Sequence, residues 1–200
     1  MIKKYVLRKN LRTVRCFCEE LFMTYDQFYR KYTFNSSPMN SYDMFRNYNN
    51  PAMDSIKKNI QGVTIVRDKE SAMRALDTLY KYSDRVVSWD TEVVDIDIKN
   101  FTPVSSGKII SAQGFAGPDV DFGNGPRLFI DNFADASDVL IYFKDYFENA
   151  KMKKAWFNYG FDRHVFYNHD IDCQGFAGDV MHMARLVNPS SGPKYYSLSA

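Results

Sequence analysis

The side chains best suited to chemistry fall in two short clusters, Asp90 with Glu92 and Asn158 with Asp162. In Arg85-Val-Val-Ser-Trp-Asp-Thr-Glu, strand alternation sends Val87, Trp89 and Thr91 one way and Val86, Ser88, Asp90 and Glu92 the other. Two carboxylates side by side on a strand that otherwise reads as core are costly unless cations neutralise them. A divalent metal is the natural counter-ion. The plainer alternative is the frayed end of a surface strand, with both acids in water. In Phe157-Asn-Tyr-Gly-Phe-Asp a strand runs into a helix, which places Asn158 and Asp162 on one helical face, at a point where α/β sheets assemble sites. Here the alternative has Asn158 as the helix cap, Phe161 in the core, and Asp162 paired with Arg163 or Lys154.

The flanking elements set how these residues are held. Gly62-Val-Thr-Ile-Val-Arg reads as a short β-rich run, and Asp68 as the cap of a helix whose apolar side is Ala72, Met73, Leu76, Leu79 and Tyr80. The Asp-x-Glu strand and a looped insertion follow. Lys108-Ile-Ile-Ser-Ala-Gln-Gly-Phe-Ala and Arg127-Leu-Phe-Ile-Asp, joined by the turn-rich Gly117 to Pro126, then read as two antiparallel strands of a meander. A helix is expected from Asp135 to Glu148, with Val139, Leu140, Phe143 and Phe147 at helical spacing. Lys153-Lys-Ala-Trp-Phe reads as a fourth strand and Tyr159 to Asn168 as a short helix. Another helix is expected from Asp179 to Leu186, with Asp179 as its N-cap. Antiparallel strands followed by helix, strand and helix specify an α/β domain with a mixed sheet.

Upstream of Gly62 the electrostatics change. Residues 1–61 hold 11 Lys/Arg against 5 Asp/Glu, leaving 15 against 19 for the rest. The first acid is Glu19, and before it Lys3, Lys4, Arg8, Lys9, Arg12 and Arg15 interleave with apolar residues. This is the acid-free, Arg-bearing pattern of a mitochondrial transit peptide, although it is poor in Ser. A basic arm retained on the mature protein and resting on an acidic partner, RNA or lipid phosphate has the same composition. From Phe28 to Asn59 the chain is rich in Tyr, Asn, Met and Pro without a sustained period. It reads as an extended segment with too many aromatics for a solvated linker, one that lies against its own domain or another chain. The organisation expected is an extension over 1–61 and a folded domain over 62–200.

A chain with 45% hydrophobic and 25% charged residues is ordinary globular protein, which excludes collagen-like, coiled-coil and low-complexity classes. No stretch approaches the roughly 18 apolar residues of a membrane helix, so the chain reads as soluble or peripheral. Cys16, Cys18 and Cys173 are an odd set that gives no disulfide framework and suits a reducing or organellar interior. His164, His169 and His182 lie on separate elements without ligand spacing and read as surface or packed histidines. Gly117 to Pro126 carries Asp119 and Asp121 but no Lys-Ser/Thr, and is not a phosphate-cradling loop.

Taken together and in order, Asp90-Thr-Glu92 and Asn158-Tyr-Gly-Phe-Asp162 resemble the first two motifs, Asp-x-Glu and Asn-x-x-x-(Phe/Tyr)-Asp, of the DEDD 3′–5′ exonucleases attached to family A DNA polymerases. Thr102-Pro-Val-Ser-Ser-Gly-Lys-Ile-Ile, Gly117-Pro-Asp-Val-Asp-Phe-Gly-Asn-Gly, Phe161-Asp-Arg-His-Val-Phe and Gly178-Asp-Val-Met-His-Met-Ala-Arg-Leu are similar to the exonuclease domains of plant and protist organellar DNA polymerases. The resemblance runs from about Val63 to Ala200. It implies a ribonuclease-H-like fold, an α/β domain with a mixed sheet flanked by helices, in which acids hold two Mg²⁺ or Mn²⁺ ions for in-line phosphoryl displacement. Asp90 would bridge both metals, Glu92 would bind one metal and the terminal nucleotide, and Asp162 would hold the second metal. Asn158 would support the nucleic acid or Asp162, and Phe161 would pack behind the site. The family's third motif, Tyr-x-x-x-Asp, has no match within these residues, since neither Tyr195 nor Tyr196 has an Asp four positions on. Asp179 matches the family's helix-capping Asp instead, and Val180 stands where relatives usually have Thr. With the fold incomplete at its C-terminus, weak binding of a second metal and a large loss of turnover are expected.

Two functions compete on these terms. One is a metal-dependent 3′–5′ exonuclease acting on single-stranded DNA or RNA ends in a mitochondrion or other endosymbiotic organelle. The other is an inactive, exonuclease-derived accessory subunit of a large mitochondrial assembly, a ribosome, respiratory complex or ATP synthase, bound to other protein subunits through its N-terminal extension. A non-catalytic nucleic-acid binder ranks third, because the folded part is net acidic.

Overall fold

The computed structural model describes residues 60–96, 102–133, 136, 138–190, 192 and 196. The basic and aromatic extension over 1–59 lies outside them, as do Asp135 and Tyr195. The unit Asn59–Val187 carries the site; beyond it, the Tyr196 hydroxyl donates to the Asn188 carbonyl.

Six strands, β1 (Val63–Val66), β2 (Val86–Val94), β3 (Lys108–Phe115), β4 (Arg127–Asp131), β5 (Lys153–Trp156) and β6 (Phe176–Asp179), form one sheet in the order β1-β4-β3-β2-β5-β6. The meander β2-β3-β4 is antiparallel, whereas β1 pairs with β4, β5 with β2 and β6 with β5 in parallel. The sheet is therefore mixed, as expected. Strand β6 has no counterpart among the expected elements, because Phe176-Ala-Gly-Asp shows no apolar alternation and is drawn into the sheet by pairing with β5.

Helix α1 (Lys69–Lys81) starts where Asp68 accepts from the Ser71 amide at 2.8 Å and the Ser71 hydroxyl bonds back to the Asp68 amide, a closed capping box. Its buried face is Ala72, Ala75, Leu76 and Leu79. Met73 and Tyr80, expected on that face, are exposed: seven positions apart, they share its edge, while Ala75 bounds the opposite side and Ala72 and Leu79 stand at the centre. The helix expected from Asp135 is a 3₁₀ turn over Val139–Phe143 continued by α2 (Lys144–Glu148). Buried Asn132 sets that start, accepting from the Leu140 amide at 2.9 Å while its own amide donates to the Ile109 carbonyl at 2.8 Å. Helices α3 (Tyr159–Tyr167) and α4 (Val180–Val187) complete the unit.

An aromatic cluster fills the core where β2 crosses β5. The rings of Trp89 and Phe147 are 4.8 Å apart, and those of Phe147 and Phe166 4.5 Å. Trp89 is seated on Gly114, its partner across the β2–β3 pair; a Cβ there would lie 2.9 Å from the indole. Beneath the cluster Lys154 is fully buried, its ammonium donating to the carbonyls of Asn149, Met152 and Gln174 and lying 4.9 Å from the Tyr146 ring centroid. Burial lowers its pKa to about 8.

Because the indole is locked among other rings, Gly114→Ala is expected to destabilise the protein by about 1–3 kcal/mol. A lower urea midpoint with an unchanged m-value would show it.

Candidate active site

Strand β2 has the two faces read from its alternation. Val87, Trp89 and Thr91 are buried, and Asp90 and Glu92 occupy the opposite face. Regular pairing runs through Glu92 opposite Ser111 and then slips, Val93 standing opposite Ile109. The irregularity falls directly after the second acid, a place where bulges re-aim side chains beside active sites.

Asp162 comes to these residues from the first turn of α3. It is 3% exposed and accepts a 2.7 Å hydrogen bond from the Thr91 hydroxyl. That bond, from the core-facing residue between the two acids, is its anchor; Lys154 is committed to the three carbonyls. Asn158 lies just before α3 in the left-handed region (φ 62°, ψ 49°), not on the helical face expected for it, and its side chain makes no capping bond. The cap comes from Asp179, at the end of β6. Its buried carboxylate accepts from the Asn158 and Tyr159 amides at 3.1 and 2.8 Å, and from the Met181 and His182 amides at 2.9 and 3.3 Å. One side chain thus caps both α3 and α4. Phe161, partly buried, packs against the hydrophobic core.

The electrostatics follow from this crowding. Burial, and then the charge of Asp90, push Asp162 up to about 8; the Thr91 hydrogen bond pulls the other way. The same two causes push Glu92 up to about 7. Asp90 is the shared neighbour of both, so the three acids form one electrostatic group.

Strand β3 adds two residues that sequence reasoning missed. Gln113 stands opposite Asp90 and Ser111 opposite Glu92, on the acids' face of the sheet. Gln113 is 5% exposed; its amide nitrogen donates to the Ser111 hydroxyl at 2.8 Å, and its buried Oε1 has no hydrogen-bond partner among the described residues. Leaving such an acceptor unmet costs about 1–3 kcal/mol. The available signal was a polar Ser-x-Gln alternation inside an otherwise apolar strand.

The histidines do not join the site. His169 packs with Nε2 accepting from the Ile109 amide at 2.9 Å, and burial lowers its pKa; His164 and His182 are exposed. Among the described residues no three His, Cys, Asp or Glu are drawn tightly enough together to hold a metal. The acids that perturb one another are nonetheless hard oxygen donors, the type suited to Mg²⁺ or Mn²⁺.

Residues 63–200 match the family model of the DNA polymerase A 3′–5′ exonuclease. This chain belongs to that family. Its exonuclease domain is 41% identical over 138 residues to DNA polymerase I A, chloroplastic/mitochondrial, of Arabidopsis thaliana, covering 66% of the chain and 13% of the relative. It is 40% identical over 133 residues to DNA polymerase I B, mitochondrial, of Oryza sativa subsp. japonica, covering 64% and 13%. The chain therefore spans 13% of the length of these polymerases. Among solved structures, RNase D of Trypanosoma brucei in complex with GMP superposes with a TM-score of 0.50 at 15% identity, covering 63% of this chain and 35% of that one. The shared architecture is the ribonuclease-H-like exonuclease fold.

Folded Asp162 holds its proton more tightly than the unfolded residue, whose pKa is 3.8, so its contribution to stability is complete at low pH and is lost as pH rises toward about 8. In metal-free buffer the melting temperature of the wild type is thus expected to decline across that window more than that of Asp162→Asn. Thr91→Val, which removes the bond that favours the carboxylate, is expected to move the Asp162 titration higher still, as followed by carbon-13 NMR. For the double cap, Asp179→Ala is expected to cost about 2–4 kcal/mol and Asp179→Asn clearly less, by urea unfolding.

Proposed function

We propose that this chain is a working metal-dependent 3′–5′ exonuclease domain, shortening single-stranded DNA or RNA from its 3′ end in a mitochondrion or related organelle. The observation that carries this reading is that the charge of Asp90 on β2 acts on two other carboxylates, partly buried Glu92 on the same strand and buried Asp162 on α3. Acids kept partly protonated at neutral pH by burial and one another's charge have much to gain from a divalent cation.

Asp90, Glu92 and Asp162 would hold Mg²⁺ or Mn²⁺, which supplies Lewis-acid polarisation of the phosphate and lowers the pKa of the attacking water. The chain's own residues do the positioning. Asp90, whose charge acts on both of the other acids, would hold the ion together with them, and Glu92 would also bind the terminal nucleotide. Thr91 fixes Asp162 from the core side, Phe161 anchors the first turn of α3 in the core, and Asp179 fixes the backbone turn at Asn158, which would support the nucleic acid or Asp162. The names of the polymerase relatives and the basic, acid-free start of the chain support the organellar location.

The test is incubation of the 200-residue chain with 5′-labelled single-stranded DNA and RNA in Mg²⁺ or Mn²⁺. Stepwise shortening from the 3′ end is expected, abolished by chelation and by Asp90→Ala. Because Glu92 and Asp162 must lose their protons to bind the ion, the rate is expected to rise with pH through about 7 to 8. Wild type and Asp90→Ala that were equally inert would instead mark a silent domain retained for its contacts with other subunits.

A further inference from the structure

We infer that Tyr159 and Phe176 form an aromatic platform on which a base of a single-stranded nucleic acid stacks, a role that rests on the function proposed above for its choice of ligand. Four rings stand in a column that runs from the core to the surface. Phe147 and Trp156 have centroids 6.4 Å apart and planes inclined at 36°, Trp156 and Tyr159 5.4 Å and 33°, and Tyr159 and Phe176 4.9 Å and 28°. With each step outward the rings draw closer and come nearer to parallel, in contrast to the edge-to-face contacts that join Phe147 to Trp89 and Tyr146. The column ends at Phe176 on the outermost strand, β6, where the phenyl side chain is 51% exposed. Tyr159 beneath it is held in place, its hydroxyl donating to the Cys173 carbonyl at 3.0 Å.

Three features select a nucleobase as the next member of the column. A base is planar and aromatic, so it stacks on an exposed ring whatever its sequence. Tyr159 shares the first turn of α3 with Asp162, whose charge acts on the Tyr159 hydroxyl, so the platform adjoins the acids. Arg163 stands four positions beyond Tyr159, on the same face of α3, exposed and close enough for its charge to act on that hydroxyl; Tyr167, four further on, is 68% exposed. Tyr-x-x-x-Arg-x-x-x-Tyr thus interleaves rings with a cation, the combination that holds single strands by base and phosphate together. The stripe offers one cation, and the charge of Asp172 also acts on Tyr159. Stacking therefore supplies more of the affinity than the phosphate contact does.

Binding of 5′-labelled single-stranded DNA by the full 200-residue chain, followed by fluorescence anisotropy in chelator so that metal-dependent cutting is held off, tests this without an activity readout. Phe176→Leu, which keeps apolar bulk and removes the ring, is expected to bind ~10-fold more weakly, and Phe176→Trp at least as tightly as wild type. Arg163→Gln is expected to reduce the slope of log affinity against log salt by about one. When the nucleotides near the 3′ end are made abasic one at a time, one position is expected at which wild type loses ~10-fold and Phe176→Leu loses nothing further. Wild-type affinity in Phe176→Leu, or an abasic loss equal in both proteins at every position, would overturn the platform and mark Phe176 as a contact for another protein chain. Absence of single-strand binding by the wild type would overturn it as well. Base-dependent binding through Phe176 by a chain that leaves strands uncut in Mg²⁺ or Mn²⁺ would uphold the platform and remove only the nuclease function.

Discussion

The Asp179 carboxylate is the constraint from which the site hangs. It ends β6, the outermost strand, and accepts hydrogen bonds from four amides at the starts of α3 and α4. Those amides are the donors a helix start leaves unmet, and the dipoles of both helices favour a negative group there. Fixing the start of α3 fixes the turn on which Asp162 sits. Fixing it from β6 also makes the placement of α3 depend on the β5–β6 pairing, so a strand whose residues show no apolar alternation governs the position of Asp162.

Asp179 and Asp162 are both almost completely buried, yet their surroundings are opposite in kind. Asp179 is met by four N–H groups. Asp162 has one hydroxyl donor and a neighbouring carboxylate, and its pKa rises accordingly. The first arrangement holds structure together; the second holds an unmet demand for positive charge, with a standing energetic penalty. Thr91 links the two faces of β2, since the residue between the acids points into the core and supports the third acid from there. The Asp-x-Glu tripeptide therefore has no idle position.

Local chemistry made much of this legible. The alternation Val87, Trp89, Thr91 against Asp90, Glu92 survives unchanged in the structure, and the Asp68 cap and the spacing of Val139, Leu140, Phe143 and Phe147 report short-range interactions that a sequence displays directly. What was hidden required register. Gln113 and Ser111 acquire meaning only once β3 is aligned on β2, and Asp179 reads as the cap of one helix until β6 brings it to a second. Lys154 reads in the sequence as a partner for Asp162, because nothing in Lys153-Lys154 announces three carbonyls arriving from positions 149, 152 and 174. Asn158 and Asp162 have helical spacing, but the left-handed turn at Asn158 takes it off the helix.

The central placement of β2 also sets an order of assembly. Its antiparallel neighbour β3 follows nearby in the chain, but its other neighbour, β5, arrives only after β4 and α2, and Thr91 and Asp162 are separated by 71 positions. Contacts between distant parts of a chain pay their closure entropy before they are rewarded, and so form late. Asp90 and Glu92 thus leave the ribosome on a strand whose second edge is still open, and they meet Asp162 only when β5 and α3 dock. The repulsion between Asp90 and Asp162 is thereby kept out of the early steps of folding and falls on the last.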